Sequence, residues 1–263
     1  MEGKARRGIQ SIEIGSELLG ALAQNVAPMA LKDLAKASGM TPGKAHPYLV
    51  SFLNVGFVTQ DASGRYQLGP FALQLGLARL QRLDIVKEAS PLVETLAAET
   101  GQSVALAVWG NLGPTIVRLE EPVHPLHVNL RIGTVMSMAH TATGRLFASY
   151  LPPKVVERLI LEDVARQSGR IGGPMDFTRA QVEDAIIETR RYGLSRTIGQ
   201  PIPGINAFCA PVFDSGGHLV LGITAMGPDA TFDPAWDGKV AEPLRACAAQ
   251  ISERLGFIEN DGR

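Results

Sequence analysis

The sequence predicts an α+β protein in two parts, and three observations carry that prediction. Within residues 11–69, apolar side chains recur three times at helical spacing and then alternate through two short runs. From Val86 onward, strand-sized apolar runs joined by tight turns are interleaved with amphipathic helices. Between these regions, residues 70–85 read as one connecting helix. The expected division is therefore 1–69, 70–85 and 86–263. The length of 263 residues suits one large or two modest domains, at roughly 150 residues per domain. An apolar content of 45% is enough for a sizeable core and excludes a disordered or collagen-like chain.

The elements follow in order. Ile14, Leu18, Leu19 and Leu22 place a helix over 11–24, and Leu31, Leu34 and Ala35 place a second over 31–38. Gly39 closes the second as a C-cap. Thr41-Pro42 then supplies a capping hydroxyl with proline at the first helical position. The third helix runs to about Val55, with Ala45, Leu49, Phe52 and Leu53 inward. Residues 57–60 and 65–69 alternate around Asp61-Ala62-Ser63-Gly64 as a β-hairpin. Helix, helix, short turn, helix, hairpin is the order of a winged helix-turn-helix, although three-helix bundles also serve as protein–protein modules. Residues 70–83 form a connector in which Phe71, Leu73, Leu77, Leu80 and Leu83 suit packing on a partner or in a core.

In the second part, residues 86–100 are an amphipathic helix. Ser103–Gly110 and Pro114–Glu121 are strands joined by Asn111-Leu112-Gly113, and residues 126–131 are a third strand. Helices are expected over 140–151, 154–168 and 178–192, the last two separated by Ile171-Gly172-Gly173-Pro174. Ala210–Asp214 and His218–Met226 form a hairpin across Ser215-Gly216-Gly217, and a helix over 233–257 closes the chain. Hairpin-joined strands mixed with helices indicate a sensor-like domain around an antiparallel sheet.

Charge and apolar runs exclude several classes. Lys and Arg number 25 and Asp and Glu 26, for a net charge of -1. That argues against a wholly basic nucleic-acid coat, but residues 1–70 carry +2 and the remainder −3. No apolar run approaches the roughly 18 residues of a membrane span. The first residues are charged without an apolar core, which excludes a secretory signal. Cys209 and Cys247 cannot make a disulfide framework, so a reducing cytoplasm is expected. Both read as small buried hydrophobes.

Catalytic signatures are missing. The sequence has no G-x-G-x-x-G after a strand, no phosphate-binding loop, no H-E-x-x-H and no G-x-S-x-G. His124 and His127 follow Glu120 and Glu121, but Pro122 and Pro125 interrupt them, so solvated histidines are expected there rather than a metal site. No cofactor, metal or catalytic residue is assigned.

Three segments carry a resemblance. Residues 31–69 hold the helix-turn-helix and hairpin. Residues 132–152 hold Thr141-Ala142-Thr143-Gly144-Arg145, similar to a Thr-Ala-x-Gly-Lys segment. Residues 192–228 hold the Ala210-Pro211-Val212-Phe213 hairpin ending in Gly227-Pro228. In this order and spacing the chain resembles the IclR family of bacterial transcription regulators over nearly its whole length. The resemblance implies a winged helix-turn-helix DNA-binding domain, a linker helix and a GAF-like effector domain. It also implies homodimers, often paired into tetramers, acting on promoter DNA under control of a small-molecule effector.

On that footing the third helix enters the major groove. Lys44 is the leading candidate for a guanine or phosphate contact; Thr41, His46, Tyr48 and Ser51 accompany it, and Arg65 follows the wing. Lys4, Arg6 and Arg7 suggest a basic arm. The family commonly carries an arginine near Tyr48; here Pro47-Tyr48 stands instead. Proline inside a helix costs about 3 kcal/mol, so the departure puts the DNA preference in doubt.

For the effector, the resemblance points to residues 138–144, 197–207 and 222–226. Members that bind small keto acids carry an Asp, a Cys and two Ser where this chain, aligned by spacing, has Thr197, Ala207, Thr224 and Met226. A tiny anion needs several dipoles to replace its hydration, so a larger, more apolar and even aromatic effector is expected. Trp109, Met138 and Phe208 are candidates to line its site, with core packing the alternative for Trp109 and Phe208. His140 or Arg145 would meet a carboxylate, and Thr143 and Gly144 lie in the same segment. The leading expectation is a cytoplasmic, ligand-responsive regulator of a catabolic promoter. The alternatives are a small-molecule enzyme or sensor whose helical N-terminus mediates protein contacts, and a regulator that has lost ligand control.

Overall fold

In a computed structural model, which describes residues 8–25, 27–122, 130–167 and 179–258, the first apolar stripe folds into α1 (Gln10–Gln24). A short α2 (Leu31–Ala37) and α3 (Pro42–Val55) pack against it. Leu18, Leu34 and Leu49 are wholly buried where the three meet, each contributing about 1.5–3 kcal/mol. Sequence spacing placed α3 correctly at both ends, because both caps are chemical. The Thr41 hydroxyl accepts from the Lys44 amide at 3.4 Å, and Gly56 ends the helix at φ 80°.

The hairpin is β1 (Val58–Gln60) paired antiparallel with β2 (Tyr66–Leu68). Its turn is built on Asp61, whose carboxylate accepts from the Ser63 hydroxyl and from the amides of Ser63 and Arg65. Those bonds, the Ser63 hydroxyl first, hold the Asp61 carboxyl below the ordinary aspartate range. Met29 adds a bridge on the other edge, exchanging both backbone hydrogen bonds with Tyr66. After the hairpin comes α4 (Pro70–Leu80), which touches Phe57 edge-on through Phe71 and buries none of its residues.

The chain divides into two compact units, Met1–Leu83 and Asp84–Arg263. In the second, α5 (Ile85–Thr100) leads into β3 (Ser103–Gly110) and β4 (Gly113–Glu120). Then come α6 (Ala142–Tyr150), α7 (Pro153–Gln167), α8 (Arg179–Tyr192), β5 (Ser195–Ile198), β6 (Ile205–Phe213), β7 (Leu219–Pro228) and α9 (Ala241–Arg254). The sheet is antiparallel throughout, in the order β4-β3-β7-β6-β5. One face carries α6; α5 and α9 pack on β3, β6 and β7 and on each other. With both faces covered, Leu221, Ile223 and Ala225 are as buried as Thr224, which is why β7 reads as a continuous apolar run.

Five expectations change: the connecting helix α4 stops at Leu80 rather than running to 85, and β6 begins at Ile205 rather than Ala210; the other three follow. The closing helix begins at Ala241, not at residue 233, because Asp233 accepts from the amides of Ala235 and Lys239 and holds the chain in a capped loop. β5 was not foreseen; four residues are too few for a periodic signal. The strand expected over 126–131 falls mostly on residues 123–129, outside the described residues; Leu130 and Arg131 are not in a strand. Residues 133–136 occupy the outer edge of β4 instead, with hydrogen bonds between Ile116 and Thr134 and between Met136 and Pro114. His124, His127, Lys4, Arg6, Arg7 and the 171–174 turn also lie outside the described residues. Among the described residues, no helix is long and apolar enough to cross a membrane, and no group of three metal-ligating side chains occurs.

Candidate functional site

In the first unit, α3 presents Lys44, His46, Pro47 and Ser51 to solvent, and Arg65 stands exposed after the wing turn. The helix contains no acidic residue, so nothing on it repels a phosphate backbone. Two side chains are partly committed. Thr41 caps the helix, and the Ser51 hydroxyl donates to the Pro47 carbonyl at 3.1 Å. Tyr48 is half-buried, its ring close to Gly15 and Phe52 of the three-helix core. Its apolar body belongs to the fold, so it is less free for a groove than its place on the helical wheel suggests. Pro47 sits inside the helix, which continues through it to Val55.

In the second unit the strand register builds a cavity floor. Thr197 pairs with Ala207, Ala207 with Met226, and Met226 with Ser103, making one row across four strands. The next row on the same face is Ser195, Cys209, Thr224 and Ala105. Above Thr197, Ala207, Thr224 and Met226 lies a cavity of ≈ 340 Å³. Its walls are the segment Thr134–Ser137, the start of α6 at Thr141–Thr143, and the loop Gln200–Ile202.

The start of α6 is held tightly. The Thr141 hydroxyl donates to the Ser137 carbonyl at 2.7 Å and accepts from the Gly144 amide at 2.9 Å. Gly144 explains itself by contact. A Cβ there would lie 2.0 Å from the Ser137 carbonyl oxygen and 2.5 Å from the Met138 Cα. Only a glycine lets residues 137–138 lie against the helix. Thr143 and Thr224 share a hydrogen bond of 2.8 Å between buried hydroxyls. Beside them, Cys209 is wholly buried, and desolvation pushes its thiol up to about 12 despite hydrogen bonds from both threonines.

Five of the ten candidate effector residues therefore line the cavity: Thr143, Thr197, Ala207, Thr224 and Met226. The other five do not. Phe208 follows Ala207 on its strand and so faces the opposite side of the sheet, packed on Phe232 and Trp236. Trp109 shares the cavity's face of β3 but stands at the far end of the strand, against Phe147 and partly exposed. Met138 is buried with Ala148, Val156 and Leu159. His140 is buried outside the lining, and Gly144 is a spacer behind the wall. Arg145, the other candidate for a carboxylate, is engaged with the Ala139 and Arg196 carbonyls and with Gln200. Sequence reasoning missed the apolar wall of Leu130, Val135 and Met136, and within the indicated segment 197–207 it did not single out Ile202 or Ile205. Apart from Ile205 at the start of β6, these residues lie in irregular segments, where no periodicity marks an inward face.

Comparison with known proteins agrees with this layout. A family model described as the bacterial transcriptional regulator IclR C-terminal matches residues 77–253, and one described as the IclR helix-turn-helix domain matches residues 11–62. The glycerol operon regulatory protein of Streptomyces coelicolor is 30% identical over 253 residues, spanning 95% of this chain and 98% of its own. The HTH-type transcriptional regulator KipR of Bacillus subtilis is 28% identical over 231 residues, spanning 87% and 90%. Among solved structures, Pseudomonas aeruginosa HmgR matches with a TM-score of 0.83 and 34% identity, over 97% of this chain and 100% of that one. The Agrobacterium tumefaciens repressor BlcR shares the fold, with a TM-score of 0.77 and 22% identity over 95% and 99%. These relatives are regulators rather than enzymes, which sets aside the enzyme alternative.

Proposed function

Because the chain belongs to the IclR family of bacterial transcriptional regulators, we propose that this DNA-binding regulator controls a catabolic promoter from the cytoplasm. Its proposed effector is a small, largely apolar organic acid, with aromatic acids the leading class. One observation carries the reading: a cavity floor of two threonines, an alanine and a methionine faces the first turn of a helix. The apolar walls favour a hydrocarbon or aromatic body. With the Gly144 amide capped by Thr141, the Ala142 and Thr143 N–H groups and the positive end of the α6 dipole favour an anionic head. That turn takes over the role first expected of His140 or Arg145. Thr143 and Thr224 supply hydroxyls that can re-pair onto a ligand oxygen.

For DNA, Lys44 and His46 on α3 and Arg65 on the wing are the proposed readers, with Thr41, Tyr48 and Ser51 contributing backbone contacts. The proposed assembly is a homodimer that can pair into a dimer of dimers. Leu73, Leu75, Leu77 and Leu80 of α4 are all exposed in the single chain, and burying them against a second copy is a natural use of an apolar helix.

A thermal-shift panel of aliphatic and aromatic carboxylates tests the effector. At a ligand concentration of 100 times Kd, stabilisation is about 2.7 kcal/mol. Fluorescence anisotropy on DNA upstream of the coding region then reads the response. Stabilisation by keto acids as small as pyruvate, with none by aromatic acids, would overturn the effector class.

A further inference from the structure

The guanidinium of Arg145 joins the two walls of the cavity. Its Nε donates to the Ala139 carbonyl at 3.0 Å, behind the wall that runs from Thr134 to Thr141. One terminal nitrogen donates to the Arg196 carbonyl on β5 at 3.0 Å, and the other to the Gln200 side-chain oxygen at 3.4 Å. Gln200 lines the opposite wall, next to Thr197 of the floor.

The two walls differ in how else they are held. Residues 134–137 are bonded to β4 at Pro114 and Ile116 and, through the Ser137 carbonyl, to Thr141. The loop 199–204 is pinned at its ends. The Gly199 amide donates to Asn206 Oδ1, and the Gly204 carbonyl accepts from Asp229. Both end residues are glycines at positive φ, 60° and 78°. Between them, residues 201–204 are exposed, while Gln200 and Ile202 reach the cavity.

We propose that Arg145 is a positioning residue that clasps the loop 199–204 over the cavity. Release of its longest arm, to Gln200, then widens access to the cavity while the other two hold. The planar fork of arginine suits this task, since three acceptors from separate segments converge on one group. The clasp bears on effector exchange only if the cavity is the effector site, so it rests on that reading. Its own test needs no effector.

Hydrogen exchange of the ligand-free full-length protein reads the clasp directly. In Arg145→Ala, amides in peptides covering 197–206 should exchange about tenfold faster, while those of 219–226 are unchanged. Arg145→Lys should fall between, because one ammonium cannot reach all three acceptors. Gln200→Ala removes the loop's arm alone and should speed exchange only within 199–204, with thermal stability unaltered. Unchanged exchange at 197–206 in both alanine variants overturns the proposal. So does an equal rise across the whole sheet, which would mean that Arg145 merely stabilises the unit. A failed carboxylate screen with a positive exchange result would remove the effector reading and leave the clasp standing.

Discussion

Gly144→Ala perturbs the cavity through a single methyl group. The new Cβ would start 2.0 Å from the Ser137 carbonyl oxygen and 2.5 Å from the Met138 Cα. Both obstacles are backbone, so no rotamer change relieves them. Ordinary contact distances of about 3.5 Å require the 137–138 segment to retreat by roughly 1 Å or more. Overpacking of this kind costs about 1–3 kcal/mol. Alanine returns up to about 1 kcal/mol through helix propensity, leaving a net loss of about 1–2 kcal/mol. For a unit of this size that lowers Tm by about 2–8 °C. Calorimetry of the full chain, followed by a ligand thermal shift, measures both the loss and the displaced wall. Gly76→Ala in α4 is the control: a Cβ there meets nothing within 4 Å, so its unit should gain up to about 1 kcal/mol. An unchanged Tm for Gly144→Ala, with ligand binding intact, would refute the close-approach argument.

Further outcomes follow from the same geometry. Thr224→Val leaves the buried Thr143 hydroxyl without its partner, at about 1–3 kcal/mol, and should blunt the effector response while sparing effector-free DNA binding. The double variant with Thr143→Val should cost much less than the sum of the singles, and additive unfolding energies would break the coupling. Lys44→Ala should weaken promoter binding by about 1–3 kcal/mol if it reads a base; Arg65→Ala should lower the salt slope by about one with little change in sequence preference. Pro47→Ala restores an amide donor inside α3 and should stabilise the first unit by about 1–3 kcal/mol; a destabilised variant would show that the helix is built around the proline. The Asp61 carboxyl is held low by Ser63 and Arg65, so its contribution to wing order is complete above the ordinary aspartate pKa and is lost as pH falls through its depressed value. Carboxyl NMR should show that midpoint below the ordinary range.

Legibility in the sequence tracked local chemistry. Both ends of α3 were readable because Thr41, Pro42 and Gly56 act on their own neighbours. Strands β3, β4 and β7 were readable because each is long enough to show a pattern, whereas β6 was read only over its last residues, from Ala210. What escaped depends on register or on distant contacts. Phe208 and Ala207 are adjacent in the chain, yet only the pairing of Ala207 with Met226 decides which of them faces the cavity. A shift of one residue would exchange them. Tyr48 looks outward on a helical wheel, but Gly15 of α1 leaves room for its ring to lie against the core. Asp233 delays the start of the closing helix by eight residues through bonds to amides further along the chain.

Cys209 makes the second unit its own clock. A thiol with a pKa of about 12 is ionised to roughly one part in ten thousand at pH 8. Wholly enclosed beneath Thr143 and Thr224, it cannot meet a disulfide reagent until the α6 side of the sheet opens. Its labelling rate therefore scales with how often that side opens. An effector that fills the cavity above Thr224 would slow that count in proportion to its occupancy, and no dye or engineered probe would be needed to hear it.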